Sequence, residues 1–317
     1  MKLGVQINRY QAVGDGSTIA STFADRAVWA DQAGVSTLFV MDHFFQLDSN
    51  GSVDDPMLEA YAVLSYAAAL TKHIQLGQMV LGVTYRHPGV LVKTASTLDV
   101  LSGGRTYFGI GAAWFEREHL GLGVEFPPLK TRFEQLEETL QIAKQMWSGD
   151  KRPYEGKHFQ LAEPICQPQP VSRPHPKILV GGSGEQKTLR LVAQYGDACN
   201  IILREPGMEY LRHKLDVLKA HCDAIGRDYS EIEITTMGGF RPLSRSGAEG
   251  TMSPQEAIDM FGSLAGEGVD QALLGIALVD APESRDVVAN DIVPVIGGIT
   301  PYGRPAESLL MKSKGHV

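Results

Sequence analysis

The sequence predicts an α/β fold, and within that class a closed (β/α)8 barrel, the TIM barrel. Two observations carry this prediction. Eight short apolar segments alternate strictly with segments of helical periodicity, which is typical of a parallel sheet covered by helices. The length of 317 residues also suits such a barrel, which needs roughly 250 residues and tolerates insertions.

The predicted strands are short apolar runs bounded by polar or glycine residues. In chain order they are Lys2–Ile7, Thr37–Met41, Ile74–Leu81, Arg105–Ile110, Lys177–Val180, Ala198–Leu203, Glu231–Met237 and Gln271–Ile276.

The predicted helices begin at residues that suit a first turn. Pro56 and Pro88 fit the first helical position, and Thr131–Glu134 and Ser253–Glu256 have the form of capping boxes. The eight helices are Ser17–Ala33, Pro56–Leu70, Pro88–Leu101, Thr131–Trp147, Glu185–Tyr195, Met208–Ile225, Pro254–Ala265 and Ser284–Ile296.

We expect residues 1–317 to form a single barrel domain. Within it, residues 148–176 are rich in proline, glycine and charge and predict an inserted excursion with a hairpin near Tyr154–Leu161. The polar residues 244–251 predict a mobile loop. Residues 297–317, rich in glycine, proline, lysine and serine, predict a flexible tail.

Composition narrows the class of partner. The formal net charge is −8, so no basic surface is expected to bind nucleic acid through its phosphates, and a small molecule is the expected partner. The three cysteines form no C-x-x-C pair. The amino terminus does not resemble a signal peptide, and no apolar run approaches the roughly 20 residues that span a bilayer. We therefore expect a cytoplasmic protein without a membrane partner.

Candidate functional residues follow the predicted strands, where barrel active sites lie. Gly181-Gly182-Ser183-Gly184 stands between a strand and a helix and predicts a phosphate site, with a plain tight turn as the alternative. Asp42-His43 predicts a proton donor or acceptor, or else a loop pair that satisfies backbone groups. Arg86-His87 is either an anion contact or a helix start. Five aromatic residues fall on three such loops and predict the walls of an apolar pocket, namely Phe44, Phe45, Tyr85, Trp114 and Phe115.

Several other kinds of site are not indicated. Gly109–Trp114 lacks the third glycine of a dinucleotide-binding turn. Glu116 and His119 form one E-x-x-H, whereas a di-iron site needs two. A serine nucleophile elbow is missing from the sequence. We predict no metal site.

The chain resembles the bacterial-luciferase-like superfamily, and within it the oxidoreductases that depend on the deazaflavin coenzyme F420. The resemblance extends through more than half of the chain in the order typical of the family. The segments that carry it are Phe39–Gln46, Ile74–Arg105, Gly109–Pro128, Arg132–Gly149 and Ile178–Asn200.

This resemblance implies residue roles at the carboxyl face of the barrel. Asp42 and His43 would lie at the edge of the cofactor ring, with His43 as the proton donor or acceptor. A non-prolyl cis peptide between Met79 and Val80 would lie against the ring. The remaining implied contacts are Gly111, Ala112, Gly181, Gly182, Ser183 and Gly184 for the cofactor, and Phe44, Tyr85, Trp114 and Phe115 for the substrate pocket.

The resemblance also implies an activity, usually in a homodimer. We expect hydride transfer between F420 and a ketone, alcohol or activated alkene. The alternative is an FMN-dependent monooxygenase that uses dioxygen. Sugar-phosphate dehydrogenases of the family carry a glutamate after the fourth strand where this chain has Trp114, which favours a flatter, more apolar substrate.

Two rivals from other classes remain. A phosphate-substrate isomerase or lyase barrel would need an internal lysine or glutamate base, and Lys93 and Lys177 are placed more like helix and strand-start residues. A non-catalytic cofactor-binding protein is the other rival.

Overall fold

The computed structural model describes residues 1–10, 17–204 and 207–304, and it contains a closed parallel barrel. Each strand pairs with the next, and the last pairs with the first, for example Lys2 with Gln271. The strands are β1 Lys2–Ile7, β2 Thr37–Val40, β3 Gln75–Gln78, β4 Thr106–Gly111, β5 Lys177–Gly181, β6 Ala198–Ile202, β7 Glu233–Met237 and β8 Gln271–Gly275. The predicted (β/α)8 barrel is confirmed.

Helices follow the strands and pack against the outside of the barrel. They are α1 Ser17–Gln32, α2 Ala60–Leu70, α3 Pro88–Ser102, α4 Glu116–Leu122, α5 Leu129–Ser148, α6 Thr188–Tyr195, α7 Met208–Ile225, α8 Pro254–Gly266, α9 Pro282–Asp286 and α10 Val293–Ile296. A π-helical segment, Val287–Ile292, joins α9 to α10. In the described part of the chain, none of the helices is long and apolar enough to cross a membrane.

Two apolar layers arise because successive strand residues point to opposite faces. One set fills the interior of the barrel, and it contains Phe39, Tyr107, Leu179, Ala198 and Leu273. The alternate strand positions join the larger core between barrel and helices, among them Val5, Leu38, Phe108, Ile110 and Val180. The interior is therefore a packed core that closes the barrel below the carboxyl ends of its strands.

The predicted third strand is interrupted in the structure. It ends at Gln78, and a short segment Leu81–Gly82 pairs again with β4. Between them lies the non-prolyl cis peptide Met79–Val80 that the resemblance implied. A Cβ at Gly109 would come within 1.9 Å of the Gln78 carbonyl oxygen, so β4 needs glycine where β3 bulges.

Several predicted helix starts are wrong. Pro56 lies outside α2, which begins at Ala60 with the Glu59 carboxylate accepting the Ala62 N–H at 2.7 Å. The Thr131–Glu134 capping box does not form, because α5 already begins at Leu129. The predicted start of α6 at Glu185 is three residues early.

Other helix predictions have mixed outcomes. The Ser253–Glu256 capping box is confirmed, with both reciprocal hydrogen bonds present. Helix α4 was not predicted. The predicted last helix is divided into α9, the π-helical segment and α10, and it begins at Pro282, two residues before the predicted start.

The excursion after α5 contains the predicted hairpin, an antiparallel pair of Tyr154–Glu155 and Gln160–Leu161. Glu138 of α5 accepts backbone N–H groups of Lys157, His158 and Phe159 at 2.9–3.1 Å. The hairpin is thereby attached to the barrel's outer helices.

Residues 244–251, predicted to be mobile, make ion pairs with α9 and the π-helical segment after it. Arg245 lies 3.0 Å from Asp291 and also pairs with Asp286. The first residues of the predicted tail are also held, since Arg304 contacts Asp270 at 2.8 Å. Residues 305–317 lie outside the described residues, so the tail prediction stays a prediction there, as does the assignment of residues 1–317 to one domain.

Candidate active site

A cavity of about 320 Å³ opens at the carboxyl ends of the barrel strands, where barrel active sites lie. Its walls come from the ends of β2 to β7 and from the loops after them. They include Asp42, His43, Met79, Val80, Tyr85, Gly111, Ala112, Trp114, Gly181, Gly182, Asn200 and Met237. Most of the predicted site residues are therefore brought together.

Asp42 is buried at the end of β2 and is bound by a guanidinium. Arg86 donates two hydrogen bonds, each 2.8 Å long, to the two Asp42 carboxylate oxygens, and the Gly82 N–H donates a third at 3.2 Å. Arg86 also pairs with Glu59. Burial raises the pKa of the Asp42 carboxyl, and the contacts with Arg86 oppose that rise. Because both oxygens are engaged, Asp42 is a weaker candidate for proton transfer than its neighbour His43.

His43 is mostly buried, and its imidazole bridges the cavity and a carboxylate behind it. Its Nδ1 lies 2.7 Å from Oε1 of Glu118. The rings of Trp114 and Phe115 meet the imidazole edge to face, with centroids 5.6 and 5.7 Å away. Sequence reasoning identified His43 but not the carboxylate that holds it.

Glu118 is the functional candidate that sequence reasoning missed. It is fully buried on α4, and its carboxylate accepts hydrogen bonds from His43, from Tyr85 and from the backbone of the loop after β2. Burial alone would raise the pKa of Glu118, but the hydrogen bonds from His43 and Tyr85 outweigh it and lower that pKa. A seven-residue helix is too short to show which of its polar residues face inward, so the sequence carried little signal for this position.

Tyr85 and His119 extend the hydrogen-bonded group around Glu118. The Tyr85 hydroxyl donates to Glu118, and its ring stacks on His119 with centroids 4.4 Å apart. Burial and the Glu118 carboxylate raise the pKa of Tyr85, which keeps its hydroxyl a donor. The buried His119 lies 2.8 Å from the Phe115 carbonyl oxygen and 2.6 Å from the Thr84 hydroxyl.

The predicted phosphate loop lies beside the cavity. Gly181 ends β5 and lines the cavity with Gly182, which has a positive φ of 113°. Ser183 and Gly184 are not among the lining residues, and the Ser183 hydroxyl lies 2.8 Å from the hydroxyl of Tyr210. A Cβ added at Gly182 or Gly184 would come within 3.4 or 3.1 Å of the side chain of Thr188, the first residue of α6.

The predicted aromatic wall is only partly at the cavity. Tyr85 and Trp114 line it, and Trp114 is 63% exposed at its mouth. Phe44 and Phe115 are not lining residues but support them, since Phe44 meets Tyr85 edge to face at 5.1 Å and Phe115 contacts Trp114 at 5.3 Å.

The remaining sequence candidates have structural partners. Arg86 pairs with Asp42, and His87 accepts the Gly89 N–H at 3.3 Å as the cap of α3. Lys177 lies at the amino end of β5, paired with Glu233 and 2.9 Å from the Tyr107 hydroxyl. Among the described residues, no group of three or more His, Cys, Asp or Glu side chains is arranged to hold a metal ion.

Comparison with known proteins identifies the family. Residues 1–247 match the luciferase-like monooxygenase family. The chain belongs to this family. The resemblance to luciferase-like proteins drawn from the sequence is thus confirmed, although a family name does not state what this member does.

Among curated relatives of this luciferase-like chain is the F420-dependent glucose-6-phosphate dehydrogenase of Kineococcus radiotolerans. The two are 31% identical over 214 residues, which cover 67% of this chain and 61% of the relative. The chain therefore matches less than two thirds of that relative's length.

Solved structures of two other proteins share the luciferase-like fold. A monooxygenase from Streptomyces bottropensis superimposes with a TM-score of 0.76 at 18% identity. A coenzyme F420-dependent tetrahydromethanopterin reductase from Methanopyrus kandleri superimposes with a TM-score of 0.74 at 15% identity. Each alignment covers 93% of this chain and 99% of the other.

Proposed function

We propose that this protein transfers a hydride between coenzyme F420 and a small uncharged organic substrate, a ketone, alcohol or activated alkene. The observation that carries the proposal is the cavity itself. It places a histidine held by a buried carboxylate next to a glycine-lined floor that can receive a flat ring. The F420-dependent name of the curated relative supports the choice of cofactor.

The cavity floor fits a planar ring system. Val80 projects between the ends of β4 and β5, where a Cβ on Gly111 or Gly181 would lie 2.9 Å or less from its methyl groups. Glycines at these positions make room for Val80, which lines the cavity together with Met79 and Ala112. We propose that the deazaflavin ring of F420 rests there, with Asp42 at its edge.

The loop after β5 fits the phosphate of the cofactor. Gly182, Ser183 and Gly184 supply backbone N–H groups and a hydroxyl a few residues before the start of α6 at Thr188. We assign Gly181 to Gly184 to this role.

F420, when bound, supplies the hydride chemistry, and the protein supplies position and a proton. His43 is the group placed to give a proton to a carbonyl oxygen or to take one from a hydroxyl. Tyr85, Trp114, Met237 and Phe133 provide an apolar wall that orients the substrate and excludes water.

The charges around the cavity favour an uncharged substrate. No lysine or arginine is among the described residues that line it. The nearby Arg86 is engaged by Asp42 and Glu59, and Arg132 donates to the carbonyl oxygens of Pro127 and Ala112. We therefore propose that this chain differs in substrate from the sugar-phosphate dehydrogenase to which it is similar.

The runner-up is an FMN-dependent monooxygenase that uses dioxygen. The fold neighbour from Streptomyces bottropensis and the family name favour it, because a flavin ring would fit the same floor.

The deciding experiment is a side-by-side fluorescence titration of the purified protein with F420 and with FMN at matched salt. We expect F420 to bind at least about tenfold more tightly, a difference of about 1.4 kcal/mol. Turnover with F420 would then be measured on secondary alcohols, cyclic enones and glucose 6-phosphate, with activity expected on the uncharged compounds. Tighter binding of FMN would favour the FMN-dependent monooxygenase instead. Binding of neither cofactor would favour a phosphate-substrate isomerase or lyase.

We further expect a homodimer and a cytoplasmic location. Helices α2 and α3 pack together and expose apolar side chains, among them Tyr66, Leu70, Val90 and Leu101, which could receive a second copy. Light scattering coupled to size exclusion would test the dimer, with a monomer at micromolar concentration as the contrary result.

A further inference from the structure

We propose that Glu118 is a positioning residue that keeps the proton of neutral His43 on Nδ1, so that Nε2 is the atom that exchanges a proton with the substrate. This inference rests on the proposed function for the identity of the reaction. The tautomer itself is a property of the protein alone.

Three hydrogen-bond donors around Glu118 require an acceptor. The backbone N–H groups of Phe44 and Phe45 donate to Oε2 at 2.8 and 3.2 Å. The hydroxyl of Tyr85 donates to Oε1, where the imidazole of His43 also lies, at 2.7 Å. An ionised carboxylate only accepts hydrogen bonds, so this arrangement suits the charged form.

The tautomer of His43 follows from this arrangement. Because Glu118 offers no hydrogen, Nδ1 of His43 must carry the proton that lies between them. Nε2 is at the opposite edge of the ring, turned away from Glu118, and His43 lines the cavity. The lone pair of neutral His43 is therefore on the cavity side.

A second layer keeps the Tyr85 hydrogen pointed at Glu118. His119 Nδ1 lies 2.8 Å from the carbonyl oxygen of Phe115, which can only accept, so this nitrogen carries a proton. The same nitrogen is 3.5 Å from the Tyr85 oxygen, and the Thr84 hydroxyl is left to donate to His119 Nε2 at 2.6 Å. Because His119 Nδ1 carries a proton, it cannot accept the Tyr85 hydrogen, and that hydrogen is left to Glu118.

The proton balance of the reaction uses this arrangement. In alcohol oxidation the hydroxyl O–H bond breaks and its proton goes to Nε2 of His43. Oxidised F420, when bound, would be the acceptor for the hydride of the carbinol carbon. The imidazolium that results faces the Glu118 carboxylate, which stabilises it. In the reverse direction, with reduced F420 as the hydride source, the same nitrogen would return the proton to the oxygen of the ketone.

The tautomer can be measured without cofactor or substrate. Long-range ¹H–¹⁵N spectra of the ¹⁵N-labelled protein, at alkaline pH where imidazoles are neutral, distinguish Nδ1–H from Nε2–H rings. The His43→Asn spectrum identifies the His43 signals among the nine histidines. We expect an Nδ1–H ring for His43 in the wild-type protein, and an Nε2–H ring would overturn the proposal.

E118Q provides the test of the role in catalysis. The backbone donors of Phe44 and Phe45 will hold the amide oxygen, so the amide NH₂ will face His43 and donate to Nδ1. The ring must then carry its proton on Nε2, where it cannot accept the substrate proton. We expect the inverted tautomer, unchanged F420 affinity and a kcat for alcohol oxidation lower by on the order of 10²- to 10⁴-fold.

The matched control is E138Q. Glu138 also accepts backbone N–H groups, far from His43 in the hairpin contact, so its exchange for glutamine should change neither the His43 tautomer nor kcat. A kcat for E118Q equal to that of E138Q would overturn the positioning role. If E118Q does not fold, the wild-type spectrum still decides the tautomer, and Tyr85→Phe, which removes one donor to Oε1, should retain the Nδ1–H ring.

The two hypotheses fail separately. Absence of F420 binding by the wild-type protein would reject the proposed function and leave the spectra interpretable. Binding and turnover of F420 with an Nε2–H ring at His43 would reject only the role of Glu118.

Discussion

Val80 lies directly against Gly181, such that a Cβ added to this glycine would meet Val80 Cγ1 at 2.6 Å. The contact joins the bulge after β3 to the end of β5, two strands that are not neighbours in the barrel. It sets the floor of the cavity, because any side chain at residue 181 would have to displace Val80.

Gly181→Ala should therefore destabilise the protein. Val80 is held by the surrounding strands, so the added methyl group overpacks the site, and we expect the free energy of unfolding to fall by about 1–3 kcal/mol. Chemical denaturation measures this change in the free energy of unfolding. Gly262→Ala in α8 is the matched control, because no atom lies within 4 Å of its added Cβ. That change should stabilise the helix by about 0.5–1 kcal/mol. Equal stability of the two variants would show that Val80 can move to accommodate the added methyl group without cost.

Arg86→Met should be strongly destabilising, because it leaves the buried Asp42 carboxylate without its cation. The loss of one partner of a buried pair costs about 3–5 kcal/mol. Arg152→Met is the control, since Arg152 pairs with Asp150 on the surface, where solvent screens the pair and its loss should leave stability nearly unchanged. Adding Asp42→Asn to Arg86→Met should recover part of the lost stability. Urea unfolding of the wild-type protein, the two single variants and this double variant measures these differences. An Arg86→Met variant as stable as Arg152→Met would contradict the assignment.

The contribution of Glu118 to stability should depend on pH. Its pKa in the folded protein lies below its ordinary value of 4.5, so the folded state favours the ionised form and gains stability from it above pH 4.5. As the pH falls below 4.5 and then through the folded pKa, that stability is lost. The difference in unfolding free energy between the wild-type protein and E118Q should be largest near pH 7 and shrink toward pH 3. A difference that stays constant over this range, or grows on acidification, would refute the expected sign.

Trp114→Ala should weaken substrate binding without destabilising the fold. Trp114 is 63% exposed, so little buried area is lost and the unfolding free energy should change by about 0.5 kcal/mol or less. Loss of the indole at the cavity mouth should raise KM for apolar ketones several-fold, measured in steady-state assays with F420. By contrast Trp147→Ala, at a tryptophan only 5% exposed, should cost about 3–5 kcal/mol. An unchanged KM in Trp114→Ala would place the substrate elsewhere in the cavity.

The order of strands and helices was predictable because it depends on local periodicity. The eight strand predictions all correspond to barrel strands, and the helix predictions fail mainly at their first turns. Pro56 and Thr131 are both compatible with a helix start, but a helix begins where its first N–H groups find partners and its apolar face finds the barrel, which the local sequence does not specify.

The residues of the candidate site were also predictable only where the signal is local in the sequence. His43, Tyr85 and Trp114 could be proposed because each follows a predicted strand, and the carboxyl ends of parallel strands meet at one face of a barrel. Glu118 could not, because it lies 75 residues from His43 on a short helix that periodicity does not reveal. Asp42 and Arg86 were both candidates, but their pairing was hidden because they are 44 residues apart and meet only when the barrel closes.

By itself the sequence determined the class of fold, the face of the barrel that carries the chemistry and several of the residues there, because alternation and strand-end position are properties of neighbours along the chain. The tertiary structure alone decided which side chains face each other across that cavity. Closing the barrel brings together residues from loops far apart in sequence. Only that closure shows that Arg86 forms an ion pair with Asp42, that the position of Val80 requires glycine at residue 181, and that the buried Glu118 holds His43.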